Sequence, residues 1–251
     1  MTIRNHHGTR RVAIVLSNLG VSTTTGWPVG FWWSELTHPY LAFMEAGYDI
    51  DLYSPAGGKV QGDSLSDPRD PSGYSATDLI SMGFVHSPNL LSKLDETAPV
   101  AALQIGNYDA LLVAGGQGPM FTFKEADALA LKFTEFFDSG RVTATVCHGA
   151  AVLRHARDAQ GNVLVKGRTV TGFCNAEEDF SDNAVWDMGV LPRDKHLMPW
   201  RIEDTLRDLG ANFVHAGAWQ PFAVRDENLI TGQQNFSGGA TARLMVEALG
   251  R

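Results

Sequence analysis

The chain has 251 residues, 44% of them hydrophobic, so it can bury a sizeable core in one large domain or two small ones. Its 20 Lys and Arg against 28 Asp and Glu give a net charge of −8, and no basic run could follow a phosphate backbone. The sequence shows no signal-peptide pattern and no apolar run long enough to cross a membrane. Its only cysteines, Cys147 and Cys174, match neither a zinc pair nor a redox Cys-x-x-Cys motif. We therefore expect a soluble, cytoplasmic protein with no nucleic-acid or membrane partner.

No break in composition divides the chain, so we predict a single domain over residues 1–251, with a flexible segment at 1–10. Short apolar runs alternate with helical patterns, which is typical of a doubly wound, mostly parallel α/β sheet with helices on both faces, as in flavodoxin. In the first half the predicted elements are strand 11–17, a helix from 35 or 38 to 46, strand 48–54, helices 76–83 and 88–95, and strand 108–114. In the second half they are helix 125–139, strand 141–146, a helix opening after Gly149, strands 163–165 and 169–174, a helix from 199 or 200 to 209, strands 213–214, 222–224 and 229–230, and helix 237–249.

Three stretches interrupt this alternation. Residues 27–33 crowd three tryptophans and a phenylalanine between glycines and a proline, which predicts a wall or cap over a site. Residues 59–75 are polar without a visible period and predict an ordered flap. Residues 180–198 include an apolar patch over 186–191 that has no helical period, and we predict a loop there. Both of these excursions are expected near the site.

Cys147 stands at the corner between the predicted strand 141–146 and the helix that follows. A sharp strand-to-helix turn exposes a side chain above the C-terminal edge of a parallel sheet, and Gly149 and Ala150 leave room for it. Amides at the start of the helix favour negative charge, so the corner predicts a nucleophile elbow with a lowered thiol pKa. An inert buried cysteine is the alternative interpretation.

A glycine-rich loop and an acid are predicted at the same sheet edge. Gly115 and Gly116 follow strand 108–114 directly, where glycine lets the backbone approach a ligand closely. The loop lacks the Lys and the spacing of a nucleotide-binding loop, so it predicts an anion or oxyanion site, with a plain tight turn as the alternative. Glu35 lies near the start of the first helix, where a carboxylate commonly complements the helix dipole. We give the same ordinary interpretation to Glu177 and Asp179.

Five motifs occur together along the chain: Glu-Leu-Thr-His-Pro at 35–39, Ser-Pro-Ala-Gly-Gly at 54–58, Ala-Gly-Gly-Gln-Gly at 114–118, Thr-Val-Cys-His-Gly-Ala at 145–150 and Thr-Gly-Phe-Cys-Asn-Ala-Glu-Glu at 171–178. This set resembles the ThiJ/PfpI superfamily, which has the class I glutamine amidotransferase-like fold. It is most similar to the branch of glyoxalase III and stress-chaperone proteins. The resemblance covers nearly the whole chain.

The resemblance implies roles for particular residues. Cys147 corresponds to the nucleophile, and Glu35 shares a hydrogen bond with it. His148 and Glu178 complete a triad-like arrangement, and the amides of Gly116 and His148 form the oxyanion site. Gly115 and Trp33 are further predicted substrate contacts.

The resemblance also implies a function: a cofactor-independent glyoxalase III, a lyase of the D-lactate dehydratase type that converts methylglyoxal or a related 2-oxoaldehyde to a 2-hydroxy acid. One alternative is a holdase-type stress chaperone that binds clients on exposed apolar surface. Another is a thiol-dependent hydrolase or hydratase of a small amide, nitrile or isonitrile, because the fold and the nucleophile do not fix the chemistry. Some relatives carry a structural zinc, but its ligands do not match the eight histidines here, and we predict no metal. A homodimer is expected from the resemblance and from the frequency of symmetric association.

Overall fold

The computed structural model describes residues 8–250, so most of the segment 1–10 that is predicted to be flexible lies outside the described residues. The strands are, in chain order, β1 (Arg11–Val15), β2 (Gly20–Val21), β3 (Pro28–Val29), β4 (Asp49–Ser54), β5 (Ala98–Pro99), β6 (Ala110–Val113), β7 (Val142–Val146), β8 (Thr169–Val170), β9 (Asn212–Phe213), β10 (Ala223–Asp226) and β11 (Leu229–Gly232). The α-helices are α1 (Trp33–Glu45), α2 (Leu79–Val85), α3 (Pro88–Leu91), α4 (Gly118–Thr122), α5 (Asp127–Asp138), α6 (Asn175–Asp187), α7 (Ile202–Asp208) and α8 (Gly238–Leu249).

Seven strands within residues 8–250 form one central sheet in the order β10-β11-β7-β6-β1-β4-β5. All neighbours pair in parallel except β10 and β11, which form an antiparallel hairpin at one edge. The central strands β1, β6 and β7 consist mostly of apolar and β-branched residues and are nearly fully buried, as expected for strands covered on both faces. The predicted flavodoxin-like architecture is confirmed.

Helices cover both faces of the sheet and divide the core into two layers. On one face, α1 and α8 pack side by side and contribute the buried side chains Leu36, Phe43 and Met245. On the other face, α5 contributes Phe133 and Phe136. Within the described residues, none of the helices combines the length and the apolar character that crossing a bilayer requires.

Helix α6 agrees with the sequence prediction at its start, where Glu177 lies in the first turn, but it extends to Asp187 and so covers the first part of the excursion 180–198 and the beginning of the patch predicted as a loop. Its buried positions are Glu177, Glu178, Asp182 and Val185. A helix that buries three acids shows no apolar period, and this explains why the pattern does not reveal it.

Two predicted strands are also wrong in part. The stretch 163–165 is reduced to an isolated bridge between Arg157 and Val163. The stretch 169–174 keeps only β8, which pairs with β9 in a separate two-stranded sheet. The hairpin β10–β11 already forms the edge of the central sheet, so β8 lies outside it.

Candidate active site

Cys147 lies directly after β7, at the first residue of a 3₁₀ helix, Cys147–Arg154. Its φ of 57° places a non-glycine residue in the left-handed region, which costs on the order of 1 to 3 kcal/mol and is found mostly at functional sites. Gly149 makes the sharp turn possible, since a Cβ there would lie 2.5 Å from the Val113 carbonyl oxygen. The predicted elbow geometry is present at Cys147.

His148 connects the thiol to Glu178, which lies in the first turn of α6. Its Nδ1 is 3.6 Å from the Cys147 Sγ, and its Nε2 is 3.0 Å from Glu178 Oε1. All three side chains are almost completely buried. In the tautomer in which Nε2 carries the hydrogen, His148 donates a hydrogen bond to Glu178 Oε1, and Nδ1 is then free to accept a proton from sulfur.

Glu35 lies in the first turn of α1, as predicted, and its side chain is fully buried. Its Oε2 accepts a hydrogen bond of 2.8 Å from the Gly115 amide, whereas Oε1 has no partner of ordinary geometry within residues 8–250. Burial raises the pKa of Glu35 to about 8, although hydrogen bonds from Cys147 and the Gly115 amide act in the opposite direction. Glu35 is therefore mostly protonated at neutral pH.

The prediction of a lowered thiol pKa is wrong for this site. Burial raises the pKa of Cys147 well above its usual value, and the charge of an ionised Glu35 raises it further. Hydrogen bonds from the amides of His148 and Gly116 lower it, as the elbow predicts, but they do not outweigh burial. Two anions are disfavoured when Glu35 and Cys147 share a hydrogen bond, so the pair carries at least one proton at neutral pH.

The glycine loop owes its shape to close contacts with the segment before α1. Gly116 has a φ of 100°, and a Cβ on it would lie 2.5 Å from the Trp32 amide nitrogen. No larger residue fits there without a shift of the backbone. This conformation directs the Gly116 amide toward the Cys147 sulfur, where the His148 amide also points. The two amides can hold negative charge beside the thiol.

Asp63 is a buried acid of the site that the sequence prediction missed. It comes from the polar excursion 59–75, and its carboxylate accepts hydrogen bonds of 2.7 Å from the Gly30 and Gln117 amides. Burial raises its pKa to about 7, although the hydrogen bonds from the two amides act in the opposite direction. Asp63 therefore connects the excursion to the glycine loop. The sequence gives little indication of this role, because Asp63 is one of several acids in a polar stretch that has no period.

These groups border a cavity of about 470 Å³. Its polar end, which we call the floor, consists of Glu35, Asp63, Gly116, Cys147 and His148. The aromatic side chains that line the rest, which we call the wall, are Trp27, Trp32, Tyr74, Phe173, Phe180 and Trp219. Both predicted excursions contribute lining residues.

Trp33, which is predicted to contact substrate, is not part of the wall. Its ring is buried against Phe31 and Phe84, with centroid separations of 5.2 and 6.1 Å. The preceding residue, Trp32, lines the cavity instead. Gly115 is also set back from the cavity, and its amide contacts Glu35. Among the residues that the structure describes, no group of three or more His, Cys, Asp or Glu side chains has the arrangement of a metal site.

Comparison with known proteins identifies relatives of this chain. Residues 92–248 match the DJ-1/PfpI family. The probable glutathione-independent glyoxalase hsp3103 of Schizosaccharomyces pombe is 28% identical, with 96% of this chain and 98% of that protein covered. The glutathione-independent glyoxalase HSP31 of Saccharomyces cerevisiae is 26% identical, with the same coverage of 96% and 98%.

Two solved structures share the whole architecture. The Rapid Encystment Protein 24 KDa of Francisella tularensis superposes with a TM-score of 0.83 at 27% identity, covering 97% of this chain and 100% of that chain. Glyoxalase III from Candida albicans superposes with a TM-score of 0.77 at 25% identity, covering 95% and 97%. The family match spans more than half of the sequence, and it confirms the resemblance that the motifs carry. This chain belongs to the DJ-1/PfpI family.

Proposed function

We propose that this protein is a glutathione-independent glyoxalase that converts a 2-oxoaldehyde and water to a 2-hydroxy acid, with Cys147 as nucleophile. The observation that carries the proposal is the buried chain of groups on the cavity floor, in which Cys147 lies between Glu35 and the His148–Glu178 pair. The names of the relatives in Schizosaccharomyces pombe, Saccharomyces cerevisiae and Candida albicans support the same reaction class.

In the first step, the Cys147 sulfur attacks the aldehyde carbon, and the C=O bond becomes a C–O bond with negative charge on oxygen. The amides of Gly116 and His148, which already point toward the sulfur, stabilise this alkoxide. Loss of one such donor typically removes about 3 kcal/mol of transition-state stabilisation. His148 accepts the thiol proton through Nδ1, while Glu178 holds the ring.

The second step moves a proton from the former aldehyde carbon to the ketone carbon through an enediol. The alkoxide first takes the thiol proton back from His148, so neutral His148 or the ionised form of Glu35 can then act as the base, and both lie beside the sulfur. The aldehyde carbon is oxidised to a thioester and the ketone carbon is reduced to an alcohol, so no external oxidant is needed. Water then hydrolyses the thioester, which releases the acid and regenerates the thiol.

The test is lactate formation from methylglyoxal without glutathione. Cys147→Ala should lower turnover by about four orders of magnitude or more, because the nucleophile is removed. Cys174→Ala is the matched control, since Cys174 is a buried cysteine beside Gln233 and does not border the cavity. Normal turnover in Cys147→Ala would contradict the proposal.

The two alternative functions are not favoured, because three of the relatives described above have names that call them glyoxalases, one of them as probable. Each has its own test. A holdase should suppress client aggregation equally well in the wild type and in Cys147→Ala. A hydrolase or hydratase should act on a panel of small amides, nitriles and isonitriles but not on methylglyoxal. The homodimer stays a prediction, and sedimentation at micromolar concentration that finds only a 27.2 kDa particle would contradict it.

A further inference from the structure

The cavity is much larger than methylglyoxal. At the roughly 30 Å³ that each water molecule occupies in the liquid, the five non-hydrogen atoms of methylglyoxal would occupy at most about 150 Å³. The cavity has about 470 Å³, within the range that suits larger ligands. About two thirds of the space would therefore remain empty or filled with water beside apolar side chains.

The charges of the cavity limit what fills this space. The carboxyl, thiol and imidazole groups of the lining all belong to the floor, whereas most of the remaining lining consists of aromatic rings and of Leu65, Val185, Met188, Leu197 and Met198. No Lys or Arg lines the cavity within the described residues, so a phosphate or carboxylate at the far end of a substrate would lack a partner. The far end of the substrate is therefore expected to be uncharged and apolar.

Trp219 is the wall residue whose position is most strongly constrained. Its φ of 62° lies in the left-handed region, where a bulky residue is strained. The strained backbone is held by Glu177, which is fully buried and whose Oε1 accepts hydrogen bonds from the Trp219 amide at 2.9 Å and from Gln233 Nε2 at 2.8 Å. The ordinary interpretation of Glu177 as a dipole complement is therefore incomplete.

This strained conformation places Trp219 in a continuous row of rings. Phe173 lies 4.2 Å from the His148 ring, and Trp219 lies 5.8 Å from Phe173, measured between centroids. Phe180, which is 58% exposed, follows at 5.3 Å and ends the row at the rim of the cavity. Edge-to-face rings of this kind present the surface that another aromatic ring packs against.

We propose that the preferred substrates are 2-oxoaldehydes with an aryl group on the ketone carbon, and that Trp219 determines this specificity. The inference rests on the proposed function for the dicarbonyl end, which the floor holds, and extends it to the rest of the substrate. With phenylglyoxal as the probe, one molecule of aldehyde and one of water give one molecule of mandelate. The internal redox balance is that of the methylglyoxal reaction.

The kinetic test compares kcat/KM for phenylglyoxal and methylglyoxal. A single methylene in an apolar pocket changes this parameter by roughly tenfold or more, so the phenyl group should give at least a tenfold advantage. Trp219→Ala should lower that advantage by about tenfold or more. A cooperative denaturant unfolding transition of Trp219→Ala, like that of the wild type, shows that the variant is folded. The control Trp200→Ala, which removes an indole packed on Arg154 outside the cavity, should keep the advantage.

A second measurement does not depend on turnover. Acetophenone, which carries the aryl ketone but no aldehyde, should protect Cys147 from iodoacetamide at a concentration at least about tenfold lower than acetone. Trp219→Ala should lose most of this difference. If neither aldehyde is converted, the proposed function fails. The protection measurement then decides alone whether the cavity prefers an aryl group through Trp219. The inference would be overturned if the two ketones protected Cys147 equally or if the wild type preferred methylglyoxal. It would also be overturned if Trp219→Ala kept the full kcat/KM advantage of phenylglyoxal.

Discussion

The floor and the wall of the cavity are built in different ways. The floor is formed where adjacent parallel strands end: Cys147 follows β7, and Gly116 lies just beyond β6. The wall comes from segments far apart in the chain. Two of these segments are each held by a buried carboxylate: Asp63 holds the excursion 59–75, and Glu177 holds Trp219. The strand ends of the sheet therefore position the nucleophile and the loop amide, whereas long-range hydrogen bonds determine the shape of the cavity that holds the substrate.

The largest loss outside the nucleophile is expected from a change on the floor. Gly116→Ala places a methyl group against the Trp32 amide and the Gly30 carbonyl oxygen, so the loop has to shift and its amide moves away from the sulfur. Turnover should fall by roughly a hundredfold to a thousandfold. Gly140→Ala is the control, because Gly140 has the same left-handed conformation with open space around it. Near-normal activity of Gly116→Ala would remove the loop amide from the mechanism.

A smaller loss is expected where the floor meets the excursion. In Asp63→Asn, the amide group replaces one acceptor with a donor, so it faces the Gly30 or Gln117 amide without a hydrogen bond. An unpaired buried donor costs about 1 to 3 kcal/mol, and we expect turnover to fall by about tenfold to a hundredfold. Asp67→Asn, which changes an acid paired with Arg69 in the same excursion, should be nearly silent. Equal effects of the two variants would show that Asp63 does not position the loop.

A third effect is on stability, not on turnover, and it depends on pH. The pKa of Glu35 is raised to about 8 in the folded protein, so its favourable contribution is present at low pH and is lost as pH rises through 8. Each pKa unit corresponds to roughly 1.4 kcal/mol. The free energy of unfolding of the wild type should therefore fall by a few kcal/mol more than that of Glu35→Gln between about pH 5 and 8.5. Denaturant titrations at both pH values measure this, and parallel curves would contradict the raised pKa.

The sequence predicts the part of the floor that lies at the strand ends, because that part is local, but it misses Asp63. Cys147 and Gly116 each follow an apolar strand directly, and a parallel sheet brings such strand ends to one edge. The roles of Glu35 and Glu178 are harder to predict, since an acid in the first turn of a helix commonly has no catalytic role. In both cases the resemblance identified them, and the position of the residue alone did not.

The wall is poorly predicted because it depends on long-range contacts. Trp32 and Trp33 have the same side chain, and only the start of α1 at Trp33 turns one ring into the core and leaves the other at the cavity. Trp219 requires a left-handed backbone that no local pattern near it indicates. The thiol pKa was predicted wrongly for a similar reason: the elbow amides are local, whereas burial and Glu35 are not.

The most direct test of the account is a measurement on Glu35→Gln, because the account depends on Glu35 and Cys147 acting as a coupled pair. Glutamine removes the negative charge that raises the thiol pKa and cannot transfer a proton. Iodoacetamide alkylation of Cys147 should therefore persist with its midpoint at a lower pH, while turnover falls by about a hundredfold or more. Glu45→Gln, at the exposed end of the same helix, should change neither value. Near-normal turnover, or an unchanged alkylation midpoint, would contradict the coupled pair and leave Glu35 as a structural carboxyl group.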